Sequence, residues 1–194
     1  IPLRHLRTGL QALPGGALGI SEVAVCNDGL AALQREGLAD LSQHDICLNK
    51  IHCTLIRSAV PEDDRKRWVG YAAQVLRSAC PEHPSGARKW ADYDALIPHL
   101  WAVWAQLTRL KLDTDLQADL LQRLGLYHMG KGYPRRARGC LERAASLHAK
   151  AHILPCNHVA RDLELLGDAS QTLAEWNDAQ GYYYRAQWYY QRYR

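Results

Sequence analysis

Several features that would place this chain in a familiar class are missing. No stretch approaches the about 18 consecutive apolar residues that a spanning helix needs, so we expect no membrane segment. The six cysteines show no CxxC spacing, which favours reduced thiols in a cytoplasmic protein over a disulfide framework. The start at Ile1 has no initiator methionine and no basic-then-apolar signal segment. We therefore expect a cytoplasmic protein and interpret the chain as a fragment of a longer one.

Sequence signatures of catalysis are also missing. The chain has no GxxxxGK[ST] loop to cradle phosphates, no GxSxG elbow and no cysteine-protease signature. Its net charge of +4 is mild, whereas a nucleic-acid binder usually concentrates more positive charge on one face. We therefore assign no catalytic residue, expect no enzyme active site in this chain, and expect no nucleic-acid partner.

What is present near the C-terminus is a unit that recurs after 42 positions, since Gly125 returns as Gly167. The matched residues are Leu124, Gly125, Ala137, Arg143 and Ala144 in the first copy and Leu166, Gly167, Ala179, Arg185 and Ala186 in the second, with Leu141 answered by Tyr183. The spacing places each glycine on one helix and both alanines on the next, where two helices cross closely. The pattern predicts two helical hairpins.

The first part of the chain has a different pattern. Residues 27–37 predict a helix with Asn27 as N-cap and Gly37 as the stop. Short apolar runs at 38–41 and 46–51 predict a small hairpin, and residues 52–59 return to helix. Helix, hairpin and helix in this order are the layout of a winged-helix element.

From Pro61 onward the pattern is helical only. Pro61 and the three acids after it favour a helix start, and residues 80–87 predict a loop. A helical stretch from Trp90 to Leu112 contains Pro98, which should begin or kink a helix there. These two helices would give the repeats a partner, because two repeats alone cannot bury their faces.

The repeats resemble the tetratricopeptide repeat, whose usual period is about 34 residues. The longer period looks like the kinesin-light-chain variety, with an extended inter-repeat loop at 151–158. Upstream, Ile51, His52, Leu55 and Ile56 resemble the MHD motif of NB-ARC signalling ATPases, and WADYDALIPHLWA at 90–102 looks like the linker helices of bacterial members. In that family, the matching histidine reaches the β-phosphate of ADP and locks the inactive state, so the resemblance implies cofactor binding by His52.

Taken together, these features predict a mainly α protein, a winged-helix element followed by a tetratricopeptide-like α-α superhelix. Residues 1–60 would be the winged-helix regulatory element, 61–112 a linker helical pair and 113–194 two repeats. The resemblance implies the ligand-sensing portion of an NB-ARC/STAND-type switch in defence signalling, with ADP or ATP bound by the parent protein, an upstream nucleotide-binding domain and oligomerisation on activation. The alternatives are a repeat scaffold without nucleotide dependence and a winged-helix transcription regulator with a repeat sensor.

Two sets of polar residues are candidates for binding. Asp119 and Gln122 in the first repeat and Arg161 and Glu164 in the second should line the concave surface and contact a protein or peptide, the alternative being an ordinary solvated face. Ligand-like spacing also occurs at His148, His152, Cys156 and His158. An inter-repeat loop is the favoured interpretation of that set, so we assign no metal site.

Overall fold

The computed structural model describes residues 22–42, 46–80, 87–151 and 157–192. Over these residues the chain forms eight helices and one two-stranded sheet. In chain order the elements are α1 (Glu22–Arg35), β1 (Ala39–Leu41), β2 (Ile46–Leu48), α2 (Lys50–Ala59), α3 (Glu62–Ala79), α4 (Ala87–Arg109), α5 (Thr114–Gly130), α6 (Pro134–Ala151), α7 (Asn157–Thr172) and α8 (Trp176–Arg192). The prediction of a mainly helical protein with one small hairpin is confirmed. The chain divides into two compact units, Ile1–Cys80 and Pro81–Arg194, so the two predicted linker helices fall in different units.

In the first unit, α1 begins at Glu22 and not at Asn27. The prediction of Asn27 as N-cap was therefore wrong, because an exposed asparagine is also tolerated inside a helix at a small cost. The predicted stop holds: Gly37 has φ +67°, and the N–H of Leu38 donates to the carbonyl of Leu33 over 2.9 Å. A positive φ of this kind is the usual way for a helix to end at glycine.

The predicted hairpin is present as an antiparallel pair, β1 with β2. Its register pairs Ala39 with Leu48 and Leu41 with Ile46. The second strand ends earlier than predicted because Asn49 caps the following helix, its side chain accepting the N–H of Ile51 over 2.9 Å. As a result α2 begins at Lys50, and the predicted strand residue Ile51 lies in its first turn.

Helices α2 and α3 differ in how much they bury. Helix α3 begins after Pro61 with three acids in its first turn, as predicted, and buries Ala73 and Leu76. Helix α2 buries none of its residues, and its apolar side chains Ile51 and Leu55 are 68% and 59% exposed. An amphipathic helix without a covered apolar face is thus a feature of the first unit.

In the second unit, α4 runs through Pro98 as one helix. Of the two outcomes predicted for Pro98, a helix start and a kink, the helix start was therefore wrong. Proline removes one backbone hydrogen bond from a helix interior, but Leu96 and Leu100 on either side of it are almost fully buried. Burial of a leucine side chain is favourable by about 2 kcal/mol, which offsets the cost of the lost hydrogen bond.

Helices α5 with α6 and α7 with α8 form the two predicted hairpins. A Cβ atom added at Gly125 would lie 2.7 Å from Cδ2 of Leu141, and one added at Gly167 would lie 2.5 Å from Cε1 of Tyr183. Carbon atoms do not approach so closely, so each glycine allows its partner helix to come near. The alanines of the repeat pattern, Ala137, Ala144, Ala179 and Ala186, are all buried.

The turns inside the hairpins repeat as well. Gly132 and Ala174, 42 positions apart, have φ values of +76° and +61°. The N–H after each of them reaches back to an equivalent carbonyl: Tyr133 to His128 over 2.8 Å and Glu175 to Ser170 over 2.9 Å. The backbone of the turn is therefore conserved between the two copies although the glycine is not.

The outer face of α8 is aromatic. Trp176, Tyr184 and Trp188 are spaced by eight and by four residues along the helix. Their exposed fractions are 63%, 64% and 44%. The guanidinium of Arg192 lies 4.1 Å from the ring centroid of Trp188. Tyr182 and Tyr189, by contrast, are partly buried against the core of the hairpins.

Candidate functional site

The four candidate partner-binding residues lie in different environments. Asp119 on α5 is 3% exposed, and Gln122 is half-buried with its amide donating to a carboxylate on α7. Arg161 and Glu164 on α7 are both half-buried and form an ion pair of 2.9 Å. The structure thus places Asp119 and Gln122 among buried polar groups, and leaves Arg161 and Glu164 partly accessible to a partner.

At the centre of the buried polar groups is His148 of α6, which is fully buried. Its Nδ1 lies 2.5 Å from Oδ2 of Asp162 on α7, which is also fully buried. Gln122 on α5 donates from Nε2 to the other carboxylate oxygen, Oδ1 of Asp162, over 2.7 Å. One histidine and one carboxylate therefore connect three helices and both hairpins.

The opposite edge of the His148 ring faces two further carboxylates. Nε2 of His148 lies 3.5 Å from Oδ1 of Asp119 and 3.7 Å from Oδ1 of Asp115. His158, at the start of α7, places Nδ1 3.9 Å from Oδ1 of Asp119 and its ring centroid 5.1 Å from that of His148. We call Asp115, Asp119, His148, His158 and Asp162 the histidine–aspartate cluster.

The electrostatics of the cluster favour a positive charge on His148. Burial lowers the pKa of His148, but hydrogen bonds to Asp119 and Asp162, together with their negative charges, outweigh it and raise the pKa to about 9. Burial raises the pKa of Asp162, and the hydrogen bonds from His148 and Gln122 oppose that rise. Because carboxylates face both edges of the ring, the imidazolium form of His148 predominates at neutral pH when no other cation is present.

The chemical capacity of this cluster is limited by its burial. A histidine oriented by a carboxylate is the arrangement of a general base, but a fully buried ring cannot reach a substrate in this conformation. The buried thiol of Cys140, about two turns before His148 on α6, has its pKa raised by burial, which lowers its reactivity. The arrangement is suited to holding helices together and to binding a cation.

The remaining candidate residues, Arg161 and Glu164, belong to a second, smaller group of polar side chains. Oε2 of Glu164 accepts hydrogen bonds from Arg161 over 2.9 Å and from the hydroxyl of Tyr190 over 3.2 Å. Arg161 occupies the position of Asp119 in the second repeat, and Glu164 that of Gln122. The same two positions therefore hold buried polar residues in the first repeat and a partly exposed ion pair in the second.

In the first unit, His52 lies in the first turn of α2. Its side chain is half-buried, and its Nδ1 is shielded from solvent with no hydrogen-bond partner among the residues that the structure describes. The exposed apolar residues Ile51 and Leu55 lie on the same helix. His52 thus stands at a helix N-terminus, where backbone N–H groups favour anions.

Sequence reasoning did not identify Asp162 or Asp115. A signal for Asp162 exists in the repeat itself, because 42 positions earlier stands Leu120, a fully buried core residue. An acid at a core position of a repeat indicates a buried polar partner. The ligand-like spacing around His148 is realised only in part: His148 and His158 come together, whereas His152 and Cys156 lie outside the described residues.

Comparison of this chain with protein-family models, with curated proteins and with solved structures finds no match. Among the residues that the structure describes, no helix is both long and apolar enough to cross a membrane.

Proposed function

We propose that this chain is the ligand-sensing and regulatory portion of an NB-ARC/STAND-type NTPase switch. In this proposal, the hairpins of the second unit recognise a protein or peptide. The winged-helix-like first unit holds the ADP-bound state of an upstream nucleotide-binding domain through His52. Binding of the partner releases that state, allows ATP to exchange and leads to oligomerisation.

The observation that carries this proposal is the uncovered apolar face of α2. Ile51 and Leu55 are one turn apart and share a face, and Ile56 beside them is 52% exposed. Leu48, just before the helix, is 43% exposed. A contiguous apolar patch of this kind usually marks a protein interface, and a nucleotide-binding domain is the partner that the resemblance implies.

The position of His52 supports the same partner. An imidazole in the first turn of a helix can donate a hydrogen bond to a phosphate that also faces the backbone N–H groups. His52 adjoins Ile51 in sequence, so a domain covering the apolar patch would bring its nucleotide close to this ring. Burial of the patch and contact of His52 with ADP would then occur together.

The second unit supports the recognition role. Its core is formed within α4 to α8, with the leucines Leu120, Leu124, Leu163 and Leu166 almost fully buried. Arg161 and Glu164 remain partly accessible on α7. A pair of packed helical hairpins that presents polar groups from one of its helices is a typical peptide-binding arrangement.

The test has two steps. The first is to read the coding sequence upstream of Ile1, where the proposal expects a phosphate-binding loop. The second is to purify the protein extended to that loop and to measure the ADP retained per chain. His52→Ala should lower ADP retention at least tenfold, whereas His99→Ala, a half-buried histidine of the second unit, should not. Absence of a phosphate-binding loop would favour the scaffold without nucleotide dependence.

The chain by itself should not bind ATP or ADP tightly. One histidine cannot replace the backbone cradle of a phosphate-binding loop. Calorimetric titration of either nucleotide into the 194-residue chain should show no binding in the micromolar range. Micromolar affinity would contradict the proposed division of labour.

A charge swap examines the recognition surface. The double variant Arg161→Glu/Glu164→Arg keeps the possibility of an ion pair, which is 2.9 Å long in the native chain, but reverses each charge. The melting temperature should change little, because the swap keeps an ion pair between two partly exposed side chains, and such pairs contribute about 1 kcal/mol or less. The protein partner should be lost, and unchanged binding would remove Arg161 and Glu164 from the site.

A further inference from the structure

The donors of the histidine–aspartate cluster come from three helices and meet at one point. Asp119 lies on α5, His148 on α6 and His158 on α7. One ligand atom from each of the three residues lies within 4.8 Å of the others. We propose that Asp119, His148 and His158 bind a divalent transition-metal ion of the Zn²⁺ class, which joins the two hairpins.

The distances are close to those of a coordination sphere. Zinc binds imidazole nitrogen and carboxylate oxygen at about 2.0–2.2 Å, which in a tetrahedral site separates neighbouring ligand atoms by about 3.4 Å. Nε2 of His148 is already 3.5 Å from Oδ1 of Asp119. Nδ1 of His158 is 3.9 Å from the same oxygen, and the His158 side chain is 44% exposed, so a small rotation can complete the approach.

The groups behind His148 are those that orient a metal-binding histidine. Such a histidine usually donates its other ring N–H to a carboxylate, which fixes the tautomer and the direction of the lone pair. Nδ1 of His148 faces Asp162 at 2.5 Å, and Asp162 is itself held by Gln122 at 2.7 Å. This second carboxylate directs Nε2 of His148 toward Asp119.

A fourth ligand is available at the rim. Oδ1 of Asp115 lies 3.7 Å from Nε2 of His148, and the Asp115 side chain is 37% exposed. Asp115 lies one helical turn before Asp119 on α5, so both carboxylates face the same side. Asp115 lies outside the group of three whose ligand atoms are within 4.8 Å of one another, so it becomes the fourth ligand only when its partly exposed side chain rotates toward the ion. The site would then have two nitrogen and two oxygen donors, as in closed structural sites.

The type of ion follows from the donors. Imidazole together with carboxylate suits Zn²⁺ and its first-row neighbours, whereas Mg²⁺ and Ca²⁺ prefer oxygen donors alone. The ion would join α5 and α6 of the first hairpin to α7 of the second. Its role would then be to fix the angle between the repeats and so the shape of the surface that carries Arg161.

The experiment is calorimetric titration of ZnCl₂ into the 194-residue chain after treatment with a chelator. We expect one ion per chain, and we expect Co²⁺ at the same site to give the intense visible absorption of tetrahedral coordination. His158→Ala is the main variant because its side chain is partly exposed and the chain should still fold. Asp115→Asn is the second variant. Each should weaken zinc binding at least tenfold.

The matched control is His99→Ala, which removes a half-buried histidine of α4 outside the cluster and should leave the affinity unchanged. Gln122→Ala should weaken binding without removing a ligand, by about tenfold or more. No binding of Zn²⁺ by the native chain would overturn the proposal. So would binding that His158→Ala leaves unchanged, or binding that only Cys156→Ser or His152→Ala removes.

Discussion

At the scale of single residues, Ala174 has a backbone conformation that residues with a side chain rarely adopt. Its φ of +61° is in the left-handed region, which costs an L-residue roughly 1 kcal/mol or more. Gly132 occupies the equivalent position of the first hairpin with φ +76°. Both residues follow the end of a helix, and in both turns the backbone hydrogen bonds are the same.

We therefore expect Ala174→Gly to stabilise the protein by about 0.5–1 kcal/mol, because glycine relieves the strain at a modest cost in unfolded-state entropy. The reverse change at the equivalent position, Gly132→Ala, should destabilise by about 1 kcal/mol. Urea unfolding followed by circular dichroism measures both. Equal effects of the same sign at Ala174 and Gly132 would contradict this account.

Residue-level reasoning from sequence succeeded for the glycines and failed for Asp162. The close helix crossing at Gly125 and Gly167 could be predicted because small residues recur at fixed spacing. The pairing of Asp162 with His148 could not, because it depends on how α6 and α7 pack across a connection and not on spacing within one helix. Asp119 was expected on a solvated polar face. Helical periodicity predicts which face of α5 carries a residue, but it does not predict which helix packs on that face.

At the scale of elements, the two hairpins depend on the approach of their helices. The ring of Tyr183 opposite Gly167 is held in place, since its hydroxyl donates to Oδ1 of Asp168 over 2.7 Å. The ring therefore cannot easily move away from a new methyl group. The pKa of Tyr183 is raised to about 12, first by burial and then by this hydrogen bond and the negative charge of Asp168.

Gly167→Ala should destabilise the protein by about 1–3 kcal/mol, the usual cost of overpacking. A matched control is Gly181→Ala on α8, where an added Cβ meets nothing within 4 Å. That control should be neutral or stabilising by up to about 1 kcal/mol, because alanine is the better helix former. Thermal and urea unfolding compare the two, and a similar loss in both variants would show that the contact with Tyr183 is not the cause.

Helices α4 and α5 are connected by an exposed polar contact. Asp94 accepts hydrogen bonds from the hydroxyl of Tyr127 over 2.6 Å and from Nζ of Lys131 over 2.8 Å. The hydrogen bond from Lys131, followed by that from Tyr127, lowers the pKa of Asp94 below its ordinary value of 3.8. The folded state thus favours the ionised carboxylate.

The pKa of Asp94 is lower in the folded state than in the unfolded chain. The Asp94 carboxylate therefore stabilises the folded state at pH values above the ordinary aspartate pKa, and this stabilisation is lost as the pH falls through the pKa of the folded state. We expect Asp94→Asn to lower the free energy of unfolding at pH 7 by less than about 1 kcal/mol, given the exposure of the pair, and to lower it less at pH 3. Urea titrations at several pH values measure this. The exposed Asp178→Asn is the control, and a constant difference across pH would contradict the assignment to Asp94.

At the scale of the whole molecule, the first and second units differ in what they leave uncovered. The second unit buries most of the leucines of α5 and α7, whereas α2 of the first unit leaves Ile51, Leu55 and Ile56 exposed. The mainly helical character of the chain and the positions of nearly all of the described helices could be predicted from periodicity. The exposure of the apolar face of α2 could not be predicted. A periodic apolar stripe predicts that a face will be buried, but not which surface buries it.

Replacing two residues of this face, in the variant Ile51→Glu/Leu55→Glu, should reduce binding of the dye ANS and any concentration-dependent self-association. The melting temperature should change little, since neither side chain is buried in the chain itself. Leu120→Ala in the second unit is the comparison and should cost about 2–5 kcal/mol of stability. A large loss of stability in the α2 variant would show that its apolar face is covered within the chain.

The aromatic outer face of α8 has an optical consequence. Trp176 and Trp188 are 63% and 44% exposed, so their fluorescence should be red-shifted and readily quenched by acrylamide. The half-buried indoles of Trp101 and Trp104, which pack edge to face at 5.6 Å, should be less accessible to the quencher. Binding of a molecule to the exposed face of α8 should therefore shift the tryptophan emission to the blue and protect it from quenching. Intrinsic fluorescence thus reports binding at this helix.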